Sequence, residues 1–181
     1  MKIAAICGSL RRESYNMMIL KIVAEKLKAL GHEVEIIDIN NFNVTLFNQD
    51  DEKANGMPDS IKKMKAIIHN AQAILVATPE YNTSVSGVLK NAIDWASRSI
   101  TPDEGTYASF MGKPAGMIAA SVGKLGGHRA LLHLRHILSA LGCNVMAKQV
   151  GVPEAQQMTD FSKKELDEFA NKFDEFIRKL A

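Results

Sequence analysis

Short, continuous apolar runs alternate along this chain with longer amphipathic stretches, the sequence form of repeated strand–helix units around a parallel sheet. Five runs, residues 3–7, 34–38, 73–77, 115–120 and 144–149, are mostly unbroken in hydrophobicity, as strands covered on both faces should be. After the first run, Leu20, Val23, Ala24, Leu27 and Leu30 recur at helical spacing, with Lys21, Glu25 and Lys28 on the other side and Gly31 as a stop. Pro58 opens a second helical stripe of Ile61, Met64, Ile67 and Ile68, and Val88, Leu89, Ala92, Ile93 and Ala96 form a third. A fourth helix is predicted over 128–141, closed by Gly142. Ser162 with Glu165 three residues later reads as the capping box of a last helix that runs to Leu180. The stretches 39–57 and 100–113 carry Asn, Asp, Thr, Gly and Pro without a charge block or repeat, and read as long connections. The pattern predicts an α/β three-layer sandwich around five parallel strands, with ligands collecting at the carboxyl ends of the strands where strand order reverses.

The length of 181 residues suits one domain over 1–181, large enough to bury a core without disulfides or a structural metal. A net charge of +2 gives no field that favours nucleic acid or a membrane surface, so an anion site has to be local. Cys7 and Cys143 fall in apolar runs with no CxxC spacing, and read as small buried hydrophobes. The first apolar run stops at Gly8, too short for a signal-peptide core, and no stretch reaches the roughly 20 apolar residues of a membrane span. The expected compartment is the cytoplasm.

The first strand leads through Gly8, Ser9, Leu10, Arg11, Arg12, Glu13 and Ser14 to Asn16 and straight into a helix. Such a loop gathers backbone N–H groups and the positive end of a helix at one place, where a phosphate is stabilised. Ser9 and Ser14 can donate through their hydroxyls, Arg11 through two guanidinium N–H groups and Asn16 through its amide. Leu10 stands where G-x-G-x-x-G needs its second glycine, and G-x-x-x-x-G-K-[ST] does not occur, which argues against a Rossmann dinucleotide grip and a nucleoside-triphosphatase loop. The same residues read equally well as a helix cap, Ser14, flanked by solvated arginines.

The third strand runs into Pro79, Glu80, Tyr81 and Asn82, a flat aromatic face beside an amide, which suits a planar heteroaromatic ligand. Ser86 is placed to cap the helix that follows, and Trp95 within that helix reads as core. After the fourth strand, Ser121, Gly123, Gly126 and Gly127 form a loop in which glycines permit close backbone approach to a ligand edge. His128, His133 and His136 share a helix but lack an acidic partner at metal-site spacing, so no metal is expected. Ser121 sits in a degraded G-x-S-x-G turn, yet no His follows His136 to complete a hydrolase triad.

Together the loops resemble those of the NADPH-dependent FMN reductases, in the branch of quinone, chromate and azo-dye reductases. Gly8, Ser9, Arg11, Ser14 and Asn16 are similar to that family's G-S-x-R-x-x-S-x-N phosphate loop. Residues 79–82 with Ser84, Gly87, Leu89, Lys90, Asn91, Asp94 and Trp95 are similar to its second signature, and the likeness runs from residue 1 to about 150. The resemblance implies a flavodoxin-like fold with strand order 2-1-3-4-5. It implies FMN as cofactor, bound along Ser9, Leu10, Arg11, Ser14 and Asn16, with its phosphate on Ser9, Arg11, Ser14 and Asn16. Pro79, Glu80, Tyr81 and Asn82 would line the flavin ring and ribityl chain, and Ser121, Gly123, Gly126 and Gly127 its pyrimidine edge. Ser86, where many members have Pro, is expected to loosen the turn without removing a ligand group. The implied activity is ping-pong transfer from NADPH or NADH through FMN to a quinone, free flavin, azo compound or similar small acceptor, with no catalytic side chain, in a homodimer or homotetramer. The alternative is a non-enzymatic flavodoxin-like electron carrier or flavin-binding module; a carrier usually needs a charged docking face, and the near-balanced composition favours an enzyme that uses small acceptors.

Overall fold

The computed structural model describes residues 1–180, which form a parallel sheet between two layers of helices. In chain order the elements are β1 (Lys2–Cys7), α1 (Tyr15–Ala29), β2 (Glu33–Asp38), α2 (Gln49–Asn55), α3 (Asp59–Asn70), β3 (Ala73–Thr78), α4 (Gly87–Ala96), β4 (Pro114–Ala120), α5 (His128–Ala140), β5 (Asn144–Val145), β6 (Val150–Val152) and α6 (Asp160–Lys179). The strands lie in the order β2-β1-β3-β4-β5, all pairs parallel, with β6 pairing the far end of β4.

Every residue of β3 and β4 is buried, which is why these strands read as unbroken apolar runs. Successive side chains feed opposite cores. Ile3, Ala5 and Cys7 of β1 pack with α1 and α6, while Ala4 and Ile6 pack with α3, α4 and α5. On the first side, Phe169 and Phe173 stack with centroids 6.0 Å apart. Each such buried ring contributes about 1.5–3 kcal/mol. Gly116 makes room for them, since a Cβ there would come within 3.1 Å of both rings. On the other side Trp95 is buried, meets Phe47 edge-on at 4.9 Å and donates its indole N–H to the Thr45 carbonyl. Cys7 and Cys143 are both buried, and burial pushes the Cys143 thiol up to about 12.

Three expectations are corrected. The fifth strand does not run over 144–149: it breaks after Val145, and the chain rejoins β4 only at Val150. Arg135 of α5 holds the gap, donating to the carbonyls of Met146 and Ala147 and to the Gln149 side chain, while Lys148 turns outward to pair with Glu168 of α6 at 2.8 Å. The cap of α6 is Thr159, not Ser162; Ser162 instead donates its backbone N–H to the Thr159 hydroxyl, and Glu165 faces Lys148. The connection 39–57 contains a 3₁₀ turn, Ile39–Asn41, and the helix α2, capped by Asn48. Among the described residues no helix is long and apolar enough to cross a membrane.

The first crossover leaves β1 toward β2 and the chain returns to place β3 on the other side of β1, so strand order reverses between β1 and β3. The carboxyl ends of β1 and β3 therefore diverge into a crevice at that point.

Candidate functional site

The loop after β1 is fixed from several directions. Gly8 donates its N–H to the Ala77 carbonyl at 2.8 Å, and a Cβ on it would sit 3.0 Å from the Leu89 side chain, which would have to give way for the loop to lie this close to α4. Ser14 caps α1, its hydroxyl accepting from the Met17 N–H at 3.2 Å. Capping thus occurs, but it does not exhaust the helix end: among the described residues the Tyr15 and Asn16 N–H groups have no acceptor, and no acidic residue sits in the first turn of α1. The positive end of that helix is left uncompensated.

Asn16 is engaged elsewhere. Its side chain is buried and spans the sheet, donating to the Ala120 carbonyl at 3.0 Å and accepting from the Ala120 N–H at 2.8 Å. It ties the loop after β1 to the end of β4 by the two bonds of a backbone pair, and this leaves its backbone N–H and second amide hydrogen for a ligand. Ser9 is also buried and accepts from the Arg11 N–H at 3.4 Å. The Arg11 guanidinium stands 5.8 Å over the Tyr15 ring. Beneath the loop, burial pushes the Cys7 thiol up against the opposing pull of its bonds to Ser9 and Ser14, so no thiolate competes with an anion above it.

After β3 the backbone folds into a tight hairpin turn. Tyr81 and Ser84 exchange both backbone hydrogen bonds, at 3.0 and 3.1 Å, and the two residues between them, Asn82 and Thr83, have φ of 49° and 66°. This is the type I′ geometry, easy for Asn and strained for β-branched Thr. The turn presents Tyr81 half exposed. Glu80 points its carboxylate at the start of α5, accepting from the N–H groups of Arg129 at 3.0 Å and Ala130 at 3.3 Å. It caps a helix whose own cap position is Gly127, without a side chain.

Ser9, Arg11, Ser14 and Asn16 meet Pro79, Glu80, Tyr81 and Ser121 around one cavity of about 120 Å³, which Tyr15, Ala120 and Val122 also line. A shallower hollow of about 390 Å³ adjoins it at Arg11 and Tyr81, bordered by Gly8, Leu10, Ser86, Gly87 and Val88. Asn82, Gly123, Gly126 and Gly127 do not line either space. Asn82 sits at the tip of its turn, and Gly123 donates to the Ser121 hydroxyl. Gly126 and Gly127, at φ of 60° and 85°, make their close approach to the protein itself: a Cβ would fall 2.7 Å from the Gly151 backbone or from Ala119. Their glycine identity is set by the packing of the loop onto β6 and β4.

The contribution of Tyr15 and the bond from Ser86 to Gly8 were not foreseen. For Tyr15 the signal was an aromatic directly after the cap residue. Ser86 does cap α4, and it also donates to the Gly8 carbonyl, so it closes the turn where loosening was expected.

The sequence pattern of the NADPH-dependent FMN reductases matches residues 1–157. The chain belongs to that family. An NAD(P)H-dependent FMN reductase of Pseudomonas aeruginosa is 41% identical over 170 residues, covering 93% of this chain and 86% of that protein. A quinone reductase of Escherichia coli is 35% identical over 148 residues, or 82% and 74% of the two chains. Among solved structures, a flavoenzyme NAD(P)H:(acceptor) oxidoreductase from Paracoccus denitrificans superposes with a TM-score of 0.73 at 30% identity, covering 96% of this chain and 97% of that one. The strand order and these neighbours make the fold flavodoxin-like.

Proposed function

We propose that this member of the FMN reductase family is an FMN-dependent oxidoreductase that takes hydride from NAD(P)H and passes the electrons to a quinone, flavin, azo compound or similar small acceptor. The observation that carries the reading is the meeting, around one crevice, of an uncompensated helix end with Ser9, Arg11 and Ser14 on one wall and the half-exposed Tyr81 on the other. That donor set fits a phosphate: two hydroxyls, a guanidinium and the N–H groups of the first turn of α1, with the one carboxylate in the lining, Glu80, held by α5.

When bound, FMN supplies the redox chemistry by accepting hydride and releasing an electron pair. The chain binds and orients. Ser9, Arg11, Ser14 and Asn16 hold the phosphate, Asn16 chiefly by fixing the loop, and Leu10 borders the adjoining hollow. Pro79, Glu80 and Tyr81 flank the ring and ribityl chain and Ser121 borders the pyrimidine edge, while Asn82, Gly123, Gly126 and Gly127 shape the turns that carry them. The exposed Leu10, Tyr81, Val122 and Leu125 give an apolar rim for a flat acceptor. No side chain is required to move a proton. The protein works in the cytoplasm as one domain over 1–181 and as a homodimer or homotetramer, for which the exposed Leu46, Ile100, Tyr107 and Met111 supply apolar surface.

Donor and acceptor then use one face in turn. Steady-state NAD(P)H oxidation with a small quinone should give parallel double-reciprocal lines; intersecting lines, or no turnover with any small acceptor, contradict the proposal.

A further inference from the structure

A second groove, of about 640 Å³, opens from the phosphate loop toward the end of β2 and shares Ser9, Leu10 and Arg11 with the crevice described above. Its chemistry differs from that of the crevice. Arg12 and Lys21 line it from the α1 side, and both are exposed. Among the described residues, neither they nor Arg11 forms an ion pair; the one contact of a cationic head is Arg11 over Tyr15. Opposite them stand Asp38, Asn40 and Asn41. The Asp38 oxygen Oδ1 already accepts from the Asn40 backbone and side-chain N–H groups, each at 3.0 Å, and Asp38 is the single carboxylate in the lining against three cations. Between the two walls, half-buried Met17 and Ile36 provide an apolar floor.

An apolar strip beside unpaired guanidinium and ammonium groups, with amides alongside, matches a purine nucleoside that carries a phosphate on its sugar. Continuity with the cofactor crevice narrows the class further. A ligand that presents one end at the flavin ring and extends past the phosphate loop lays its other end here, and a pyridine dinucleotide has that form. We propose that this groove takes the adenosine end of NADPH, with Arg12 and Lys21 pairing the 2′-phosphate, and that it gives the protein a preference for NADPH over NADH. NADH would place a neutral hydroxyl between the two cations and leave them to solvent. The assignment rests on the reading that a reduced pyridine nucleotide is the hydride donor.

The test uses the FMN-loaded protein and two probes that cannot themselves be oxidised, adenosine 2′,5′-bisphosphate and 5′-AMP, titrated by calorimetry. Wild type should bind the bisphosphate at least about tenfold more tightly, and Arg12→Gln and Lys21→Gln should each weaken it about tenfold without changing 5′-AMP binding. In kinetics the same variants should raise KM for NADPH and leave KM for NADH and FMN retention as in wild type. Equal binding of the two probes, variants that leave bisphosphate binding intact, or parallel increases of both KM values overturn the assignment. A protein that takes up no FMN overturns the proposed function instead, and the calorimetry on that protein still judges the groove.

Discussion

Ser86 Oγ donates a 2.5 Å hydrogen bond to the carbonyl of Gly8, 78 positions away in the chain, while accepting from the Leu89 N–H at 3.3 Å. The cap of α4 thereby holds the first residue of the phosphate loop, and the two walls of the crevice are positioned by one buried hydroxyl. Ser86→Ala removes the cap and leaves a buried carbonyl without its donor, so it should cost about 1–3 kcal/mol and weaken FMN binding. Ser86→Pro loses the same bonds but meets a φ of −63°, already that of proline, and restricts the unfolded chain. It should therefore be less destabilised than Ser86→Ala by about 0.4–1 kcal/mol. Urea unfolding of both variants decides this, and an Ala variant as stable as the Pro variant contradicts it.

Thr83 carries strain that its neighbour does not. Both lie at positive φ, but a β-branched side chain fits that region poorly. Thr83→Gly creates the Asn-Gly pair that type I′ turns favour and should raise stability by about 1 kcal/mol, read as a higher urea midpoint at unchanged slope. An unchanged or lower midpoint shows the turn to be unstrained.

The parts of this protein that the sequence discloses are those whose physics is local. Three of the strands, β1, β3 and β4, announce themselves because burial on both faces leaves almost no polar position in them, β2 because buried Val34 and Ile37 stand among exposed Glu33 and Glu35 at the sheet edge, and α1, α3, α4 and α5 because one stripe of each faces a core. The helix α2 buries no residue, so it has no stripe to find. The break after Val145 depends on Arg135, ten positions upstream, choosing carbonyls that would otherwise join the sheet. At the site, the donors of the loop after β1 were legible, since Ser, Arg and Asn there are donors whatever surrounds them, but they read equally as an anion site and as a helix cap. The destinations of those donors were not legible. Asn16 turns to Ala120 and Glu80 to Arg129 and Ala130, partners separated by 104 and 49–50 positions, and only the folded chain brings them into reach.

The C-terminal helix is anchored by an electrostatic contact with a definite pH dependence. Asp174 bonds His32 at 2.7 Å and Arg178 at 2.6 Å, joining α6 to the turn between α1 and β2. Burial pushes the Asp174 carboxyl up, but the bonds to His32 and Arg178 outweigh it and hold the carboxyl below its usual range. A carboxylate depressed in the folded state contributes stability that is present above its unfolded pKa and lost as pH falls through the folded value. Stability of the wild type should therefore decline below about pH 4. Asp174→Asn should be less stable at neutral pH and lose less between pH 5 and 2. Equal acid sensitivity of the two proteins removes Asp174 from the account.

FMN titrated into the purified apoprotein, with flavin fluorescence followed for wild type and Arg11→Ala, tests the central claim most directly. The account predicts saturable quenching by wild type at one FMN per chain, affinity weaker by about 10- to 100-fold in Arg11→Ala with thermal unfolding unchanged, and anaerobic bleaching of bound flavin by NAD(P)H. A wild-type protein that leaves FMN fluorescence unaltered contradicts the assignment of the crevice. An Arg11→Ala variant with full affinity removes Arg11 from the phosphate site.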